Sequence, residues 1–193
     1  MSREKLDVPS IELLEAELKR EQYKTSYGRI LRSTVFLLLV VAAAAVLIAM
    51  LLLPVLQVGG TSMTESLQDK DIVVAVSGNK YKTGDIIAFY YNNNILIKRV
   101  IAKAGDWVDI DRDGNVFVND KQMDEPYVTE KAFGECNIDL PYQVPEGKCF
   151  VMGDHRATSI DSRNTSVGCV NSDMIVGRIV FRVWPFSGIG LLD

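Results

Sequence analysis

Residues 34–53 read TVFLLLVVAAAAVLIAMLLL and contain no charged residue, no proline and no glycine. Twenty such residues are about what a helix needs to cross ~30 Å of membrane hydrocarbon. The alternative is a buried core helix, but a chain of 193 residues is small for an uncharged core helix of that length. The stretch therefore predicts a membrane-spanning anchor at residues 34–56, with one segment before it and one domain after it.

The charges on either side of this anchor predict its orientation. Arg29 and Arg32 lie just before it, and after Pro54 the next basic residue is Lys70. Because basic residues are retained on the cytoplasmic side, residues 1–33 are predicted to be cytoplasmic and everything beyond Pro54 extracytoplasmic. A cleaved signal peptide would begin near residue 1 and have a shorter apolar core, so we interpret the segment as a retained single-pass anchor in the cell membrane.

The predicted cytoplasmic segment contains an amphipathic pattern. Within residues 10–24, Ile11, Leu14 and Leu18 recur at helical spacing and charged residues occupy the other faces. A helix of this kind could dock a partner protein. A solvated helix that leads into the membrane is the simpler interpretation, and we assign it no chemistry.

Beyond the anchor the sequence changes to short runs of β-branched and aromatic residues, separated by turn signals such as Asp113-Gly114. No internal repeat and no low-complexity linker divides this region. We therefore predict one compact, mainly β domain at residues 57–193. Its predicted strands are Ile72–Val76, Ile86–Tyr91, Ile95–Ala102, Trp107–Asp111, Asn115–Val118, Lys148–Met152 and Ile175–Trp184.

One stretch of this domain imitates a calcium site. Residues 109–114 read DIDRDG, which matches the start of an EF-hand loop, although Asp120 stands where that loop needs a glutamate. An EF-hand loop also lies between two helices. Here apolar and polar residues alternate on both sides of Asp113-Gly114, so the pattern predicts a β-hairpin with an Asp-Gly turn and no metal.

The composition excludes several classes of protein. A net charge of -4 argues against a nucleic-acid partner, because a protein that binds nucleic acid usually carries a clustered excess of basic residues. A zinc site would need all three cysteines together with the single histidine, although no C-x-x-C pair is present. In an oxidising exterior Cys136 and Cys149 could form a disulfide, but Cys169 makes the pairing ambiguous, and buried free thiols are an equal alternative. We predict no metal and no cofactor.

The same composition narrows the choice of catalytic base. A nucleophilic serine needs a base next to its hydroxyl, and His155 is the only histidine. The nucleophile-elbow motif G-x-S-x-G does not occur. A Ser-Lys dyad remains available, and it requires a lysine that burial keeps uncharged near neutral pH.

Lys98 matches this requirement because it lies in the apolar run Ile95–Ile101. Strand side chains alternate, so Lys98 and Arg99 should point to opposite faces, one into a site and the other into water. An edge-strand lysine that guards against aggregation is the alternative, and for Lys98 alone it is the better one.

Ser62 is the candidate nucleophile. It follows Gly59 and Gly60, which allow the backbone to approach a substrate and to offer N–H groups to an oxyanion. A flexible linker next to the membrane is the alternative interpretation of this glycine-rich stretch.

Four segments in order make the two candidates specific. Residues 60–67 hold the Ser-Met pair, residues 84–89 read GDIIAF, residues 98–101 read KRVI and are followed by Gly105-Asp106, and residues 153–163 read GDHRATSIDSR. Together they resemble the conserved boxes of the bacterial type I signal peptidases, in their compact Gram-positive form, from about Pro54 to the end of the chain.

The resemblance implies a role for each matched residue. Ser62 would attack the scissile carbonyl, Lys98 would take its proton, and the backbone N–H of Ser62 would contribute to the oxyanion hole. Ser159 would hydrogen-bond and orient the lysine amine, and Met63 would wall the pocket. The supporting residues would be an ion pair of Asp161 with Arg163 beneath the site, and Asp154 and Arg156 as braces of the loop.

Three positions depart from the family pattern. Glu65 stands where the family has proline, which could loosen the turn after Ser62 or reshape the substrate groove. His155 stands where asparagine is usual, and with Lys98 present we interpret it as a hydrogen-bonding residue of the loop. Gly60 has no hydroxyl, so it cannot supply the second oxyanion donor that some relatives carry two positions before the serine.

The implied function is a membrane-bound serine endopeptidase that removes signal peptides from exported preproteins at Ala-x-Ala sites. Its expected partners are those signal peptides and the lipid bilayer, with the secretion translocon as a further candidate. Two alternatives remain: a peptidase dedicated to a few surface proteins such as pilins, for which Glu65 is the motive, and a non-catalytic assembly factor that kept the fold.

Overall fold

The computed structural model describes residues 10–192, with the side chains of residues 22 and 24–26 outside the description. The first nine residues of the predicted cytoplasmic segment therefore lie outside the described residues. One helix, α1, runs from Ile11 to Leu52 and contains the amphipathic stretch from Ile11 onward and residues 34–52 of the predicted anchor. The last residues of the predicted anchor lie outside the helix, because Val55–Gln57 form a strand. Its part from Tyr27 to Leu52 is long and apolar enough to cross a membrane, and none of it is buried within the protein.

Between α1 and residue 192, the last one described, the chain forms twelve β-strands, so a mainly β domain preceded by one long helix is confirmed. The strands are β1 Val55–Gln57, β2 Ile72–Ser77, β3 Ile86–Tyr91, β4 Asn94–Lys103, β5 Trp107–Ile110, β6 Val116–Val118, β7 Lys121–Gln122, β8 Tyr142–Gln143, β9 Lys148–Met152, β10 Val170–Asn171, β11 Ile175–Trp184 and β12 Gly190–Leu191. Two short 3-10 helices, Ser172–Met174 and Phe186–Gly188, interrupt the last part of the chain.

The seven predicted strands all form, within one residue at either end. The five additional strands are two or three residues long, which is too short for alternation to be visible in the sequence. The predicted hairpin is also present, because β5 and β6 pair antiparallel with Val108 opposite Val118 and Ile110 opposite Val116. The carboxylate of Asp111 accepts hydrogen bonds from the backbone N–H of Asp113 and Asn115, so it closes the turn.

The strands form two antiparallel sheets. The larger sheet has the order β1-β2-β11-β3-β4-β9-β10, with β12 also paired to β11, and the smaller sheet has the order β7-β6-β5-β8. Strand β4 is shared between neighbours: its residues 94–99 pair with β3, and its residues 99–103 pair with β9. Within the described residues, the edge of β4 at 94–98 that faces away from β3 has no strand partner.

Strand β1 is the terminal strand of the larger sheet, and the chain continues from it into the turn that carries Ser62. Val58, Met63 and Leu67 from this stretch are buried in a hydrophobic cluster with residues of β2, β3 and β11. Their burial packs the start of the domain against the sheet and brings the Ser62 turn to the face of β4.

Candidate active site

The structure places Ser62 and Lys98 in direct contact. The Lys98 Nζ donates a hydrogen bond to the Ser62 Oγ over 2.5 Å. Lys98 lies in the middle of β4, opposite Ile87 of β3, and its side chain is 3% exposed. Two residues separated by 36 positions are thus brought together by the packing of the Ser62 turn on β4.

Burial makes the amine of Lys98 easier to deprotonate. The loss of water around its amine is the largest influence and lowers the pKa of Lys98 from 10.5 to about 8. Arg163 lowers this pKa further, while Asp161 and Asp154 raise it. A substantial share of the amine is therefore neutral at mildly alkaline pH, as a proton acceptor must be.

The expectation that one of Lys98 and Arg99 stays in water is wrong. Arg99 points to the opposite face, as alternation predicts, but it is only 2% exposed. Its guanidinium donates two hydrogen bonds of 2.9 Å to Asp154, one of 2.9 Å to the Ser66 hydroxyl and one of 2.7 Å to the Gly84 carbonyl. Both faces of this central strand are covered, so the charge of Arg99 is matched by a buried carboxylate instead of solvent.

The loop after β9 lies beneath the dyad. Arg163 and Asp161 form an ion pair over 2.9 Å, and both side chains are fully buried. Asp161 also accepts a hydrogen bond of 2.9 Å from the Gly153 N–H. Arg163 donates to the carbonyl groups of Phe133 and Arg156, at 2.8 and 2.9 Å. These bonds satisfy both charges and fix the loop, which is the arrangement expected of this pair.

Asp154 and Arg156 each form an ion pair with a partner that the sequence did not indicate. Asp154 binds Arg99, as described above, and Arg156 forms a fully buried ion pair with Glu125, with a shortest distance of 2.5 Å. Glu125 lies 31 positions before Arg156. Sequence reasoning missed it because nothing in its neighbourhood distinguishes a buried glutamate from an exposed one.

The predicted hydrogen bond between Ser159 and the lysine amine is absent from the structure. Ser159 is 1% exposed, and its Oγ has no hydrogen-bond partner among the described residues. The hydroxyl faces Gly153, next to the Ser62 carbonyl oxygen, so it lies in the site. The amine of Lys98 bonds the Ser62 hydroxyl instead.

Some backbone groups around Ser62 are hydrogen-bonded to other described residues of the protein, and one N–H is not. The His155 N–H donates to the Ser62 carbonyl over 3.1 Å, and the Gly60 N–H donates to Asp69 over 2.9 Å. Among the described residues the N–H of Ser62 donates to no protein group, which leaves it available to an oxyanion. The Gly60 N–H is not available in this way.

The side chains that depart from the family pattern both bind hydroxyl groups. The His155 Nδ1 lies 3.1 Å from the Thr158 Oγ1 and 3.3 Å from the Thr64 Oγ1, away from the Ser62 hydroxyl. Glu65 accepts hydrogen bonds from the backbone N–H and the Oγ1 of Thr129. Glu65 therefore fastens the turn after Ser62 to another part of the domain, a contact that the sequence did not predict.

A cleft of about 410 Å³ leads to the dyad. One wall is the chain that continues from β1, residues 56–60 with Met63, and the other wall is the unpaired edge of β4 with its turn, residues 93–98. Ser62 and Lys98 both line it. Met63 is 2% exposed, so it belongs both to this wall and to the hydrophobic cluster behind it.

All three cysteines are free, so the disulfide suggested for Cys136 and Cys149 does not form. Cys149 is buried on β9, and burial raises the pKa of its thiol to about 12. Within residues 10–192 no group of three or more His, Cys, Asp or Glu side chains is arranged to hold a metal ion.

Comparison of the sequence with known proteins relates the chain to one family. Residues 31–184 match the family model described as signal peptidase, peptidase S26. The chain is 37% identical over 151 residues to signal peptidase IB of Staphylococcus aureus (strain N315), an alignment covering 67% of this chain and 77% of that protein. It is 38% identical over 149 residues to thylakoidal processing peptidase 1, chloroplastic, of Arabidopsis thaliana, covering 68% of this chain but only 42% of that longer protein.

A crystal structure of a signal peptidase I from Enterococcus faecalis V583 is also similar. It shares 29% sequence identity, and the superposition covers 53% of this chain and 98% of that chain with a TM-score of 0.45.

Proposed function

We propose that this chain, which belongs to the signal peptidase family, peptidase S26, is a serine endopeptidase that removes signal peptides. Its substrates are preproteins that carry signal peptides. The nucleophile we propose is Ser62 and the general base is Lys98. The observation that carries this assignment is the 2.5 Å contact of Ser62 Oγ with the amine of a lysine that is 3% exposed.

The reaction follows from that contact. Neutral Lys98 accepts the hydroxyl proton of Ser62 while the Oγ attacks the scissile carbonyl carbon. The resulting oxyanion accepts a hydrogen bond from the backbone N–H of Ser62. The lysine then gives its proton to the departing amine of the mature protein, and the signal peptide remains as an ester on Ser62. Lys98, neutral again, then takes one proton from water as the water oxygen attacks the ester carbonyl carbon. Lys98 passes that proton to the departing Ser62 Oγ, so that the signal peptide leaves with a free carboxyl group and both side chains return to their starting state.

The cleft explains how a peptide would be presented. In the part of the chain that the structure describes, the edge of β4 at residues 94–98 that faces away from β3 has no strand partner, and the chain at 56–60 faces it across the cleft. An extended substrate can therefore add itself as a strand between them, held by backbone hydrogen bonds. Substrate residues would alternate in direction, which fits the expectation of small side chains at the first and third positions before the cleaved bond.

The supporting residues keep their proposed roles with revised contacts. The ion pair of Asp161 with Arg163 holds the floor of the site. Asp154 braces the loop by binding Arg99, and Arg156 braces it by binding Glu125. Ser159 remains the proposed orienting hydroxyl, because a buried hydroxyl without a partner is costly and gains one if the lysine amine turns away from Ser62. Met63 excludes water from the amine.

The long apolar helix indicates a membrane-anchored protein. We propose residues 1–33 as the cytoplasmic segment and the helix from residue 34 to Leu52 as the anchor, and not residues 34–56, because Val55–Gln57 form β1. The domain that begins with β1 is the proposed extracytoplasmic catalytic domain, with the lipid bilayer and the secretion translocon as its proposed partners. Arg29 and Arg32 support this orientation. Protease added to intact cells or spheroplasts should digest an epitope fused after residue 193 and spare one fused before residue 1; the reverse result would overturn it.

The dyad is tested with the full chain in detergent and a preprotein that has an Ala-x-Ala site. Ser62→Ala and Lys98→Ala should each abolish cleavage, with the fold preserved by circular dichroism. Lys103→Ala, on the exposed end of the same strand, is the matched control and should cleave normally. Retained cleavage in either dyad variant would contradict the assignment. The contact between the two side chains also counts against the non-catalytic alternative.

A further inference from the structure

We propose that Glu65 is a positioning residue that holds the nucleophile turn, residues 61–67, against a second segment, residues 125–129. The inference rests on the proposed function of Ser62, three residues before Glu65 in this turn. One carboxylate oxygen of Glu65, Oε2, accepts hydrogen bonds from both the backbone N–H and the hydroxyl of Thr129, the latter at 2.6 Å. Hydrogen bonds to an ionised carboxylate are roughly twice as strong as neutral ones.

The segment that Glu65 binds is itself firmly fixed. At its start, Glu125 is held in the fully buried ion pair with Arg156. Two residues later, the Tyr127 ring covers the guanidinium of Arg99, with 3.8 Å between its central carbon and the ring centre. Thr129 therefore ends a segment that is anchored to the arginine next to Lys98 and to the loop beneath the site. Thr129 itself is exposed, one residue after the buried Val128.

The nucleophile turn has further attachments on both sides of Glu65. Before it, His155 bonds the Ser62 carbonyl and the Thr64 hydroxyl. The Ser66 hydroxyl donates to Asp154 over 2.5 Å and accepts from Arg99 over 2.9 Å, and the Ser66 carbonyl accepts from Arg182. Glu65 adds an attachment at the neighbouring residue, directed to a different segment. Two adjacent attachments to separate elements restrict rotation of the turn, and so the direction of the Ser62 hydroxyl, more than either does alone.

Glu65 does not line the cleft, so it acts through the turn and not by touching the substrate. Its loss should therefore lower kcat and leave KM unchanged. A displacement of about 1 Å in a reacting group can cost ~10²-fold in rate, and a turn that keeps its Ser66 attachments moves less than that. We expect a loss of kcat on the order of tenfold.

The test measures kcat and KM of the full chain in detergent on an Ala-x-Ala preprotein peptide. Glu65→Ala should lose about tenfold in kcat. Thr129→Val keeps the side-chain shape and the N–H, so it should lose less. Glu65→Gln retains a carbonyl oxygen at the same place and should restore most of the rate. In the double variant Glu65→Ala with Thr129→Val, kcat should equal that of Glu65→Ala, since both changes break one contact.

Glu130→Ala is the matched control, because Glu130 is an exposed acid next to Thr129. It should behave as the unmodified chain. Thermal unfolding of every variant identifies any change that comes from lost stability. A kcat for Glu65→Ala within twofold of the unmodified chain, an effect on KM alone, or no rescue by glutamine would overturn the proposal. Ser62→Ala in the same assay reports separately on the proposed function: if it cleaves, that function fails whatever Glu65 does.

Discussion

The dependence of cleavage on pH follows from the burial of Lys98. Its pKa is lowered from 10.5 to about 8, which makes the neutral amine more favourable by about 3 kcal/mol than it would be in water. At pH 7 roughly one tenth of the enzyme then holds a neutral base, about 300 times more than an unperturbed lysine would provide. Only the neutral form can accept the Ser62 proton.

The rate of cleavage should therefore increase as the pH rises. The value of kcat/KM should rise about tenfold for each pH unit up to about 8 and then level, because this parameter reports the essential groups of the free enzyme. The assay is initial-rate cleavage of an Ala-x-Ala peptide from pH 5.5 to 10, in one buffer series of constant ionic strength. Met63→Ala should move the midpoint to higher pH, because water admitted beside Lys98 weakens the desolvation that lowers its pKa.

His155→Asn separates this explanation from its competitor. If His155 were the base, removing its imidazole would abolish the rise. With Lys98 as base, the variant should keep the midpoint near 8, since the His155 ring contacts the Thr64 and Thr158 hydroxyls and not Ser62. A midpoint near that of a free lysine, or one that disappears in His155→Asn, would refute the reasoning.

Two further predictions concern the frame of the site. Gly153→Ala should nearly abolish cleavage, because the added carbon would lie 2.5 Å from the Ser62 carbonyl oxygen and overlap the Ser159 hydroxyl; normal rates would show that the loop yields easily. Arg156→Met should reduce the free energy of unfolding by about 3–5 kcal/mol in urea titrations, because it leaves Glu125 buried and unpaired. The double variant Arg156→Met with Glu125→Leu should recover much of that loss, and equal losses in both would count against a buried-charge origin.

Much of the fold was predictable from the sequence because its signals are local. The apolar run at residues 34–53 and the alternation in seven strands depend only on neighbouring residues, and the Asp113-Gly114 turn is specified by its own backbone requirements. The strands that were missed are those of two or three residues, whose existence depends on a partner strand being present.

The errors at the site share one cause. Arg99 was expected in water, yet it is buried, because alternation defines which face a side chain takes but not whether that face is covered. The hydrogen bond expected between Ser159 and the lysine amine is not made in this structure: the Ser159 hydroxyl has no partner among the described residues, and the amine bonds Ser62. Burial and pairing depend on what packs against a strand from elsewhere in the chain.

The sequence alone determined the chemical types and their order: an apolar anchor, a serine after two glycines, a lysine within an apolar strand, and a loop with paired acids and bases. Only the tertiary structure decided their contacts. The cleft arises from two unpaired edges, and the bonds of Glu125 to Arg156 and Glu65 to Thr129 span 31 and 64 positions. Such contacts have no local signature, because each residue would look the same in the sequence if it faced solvent.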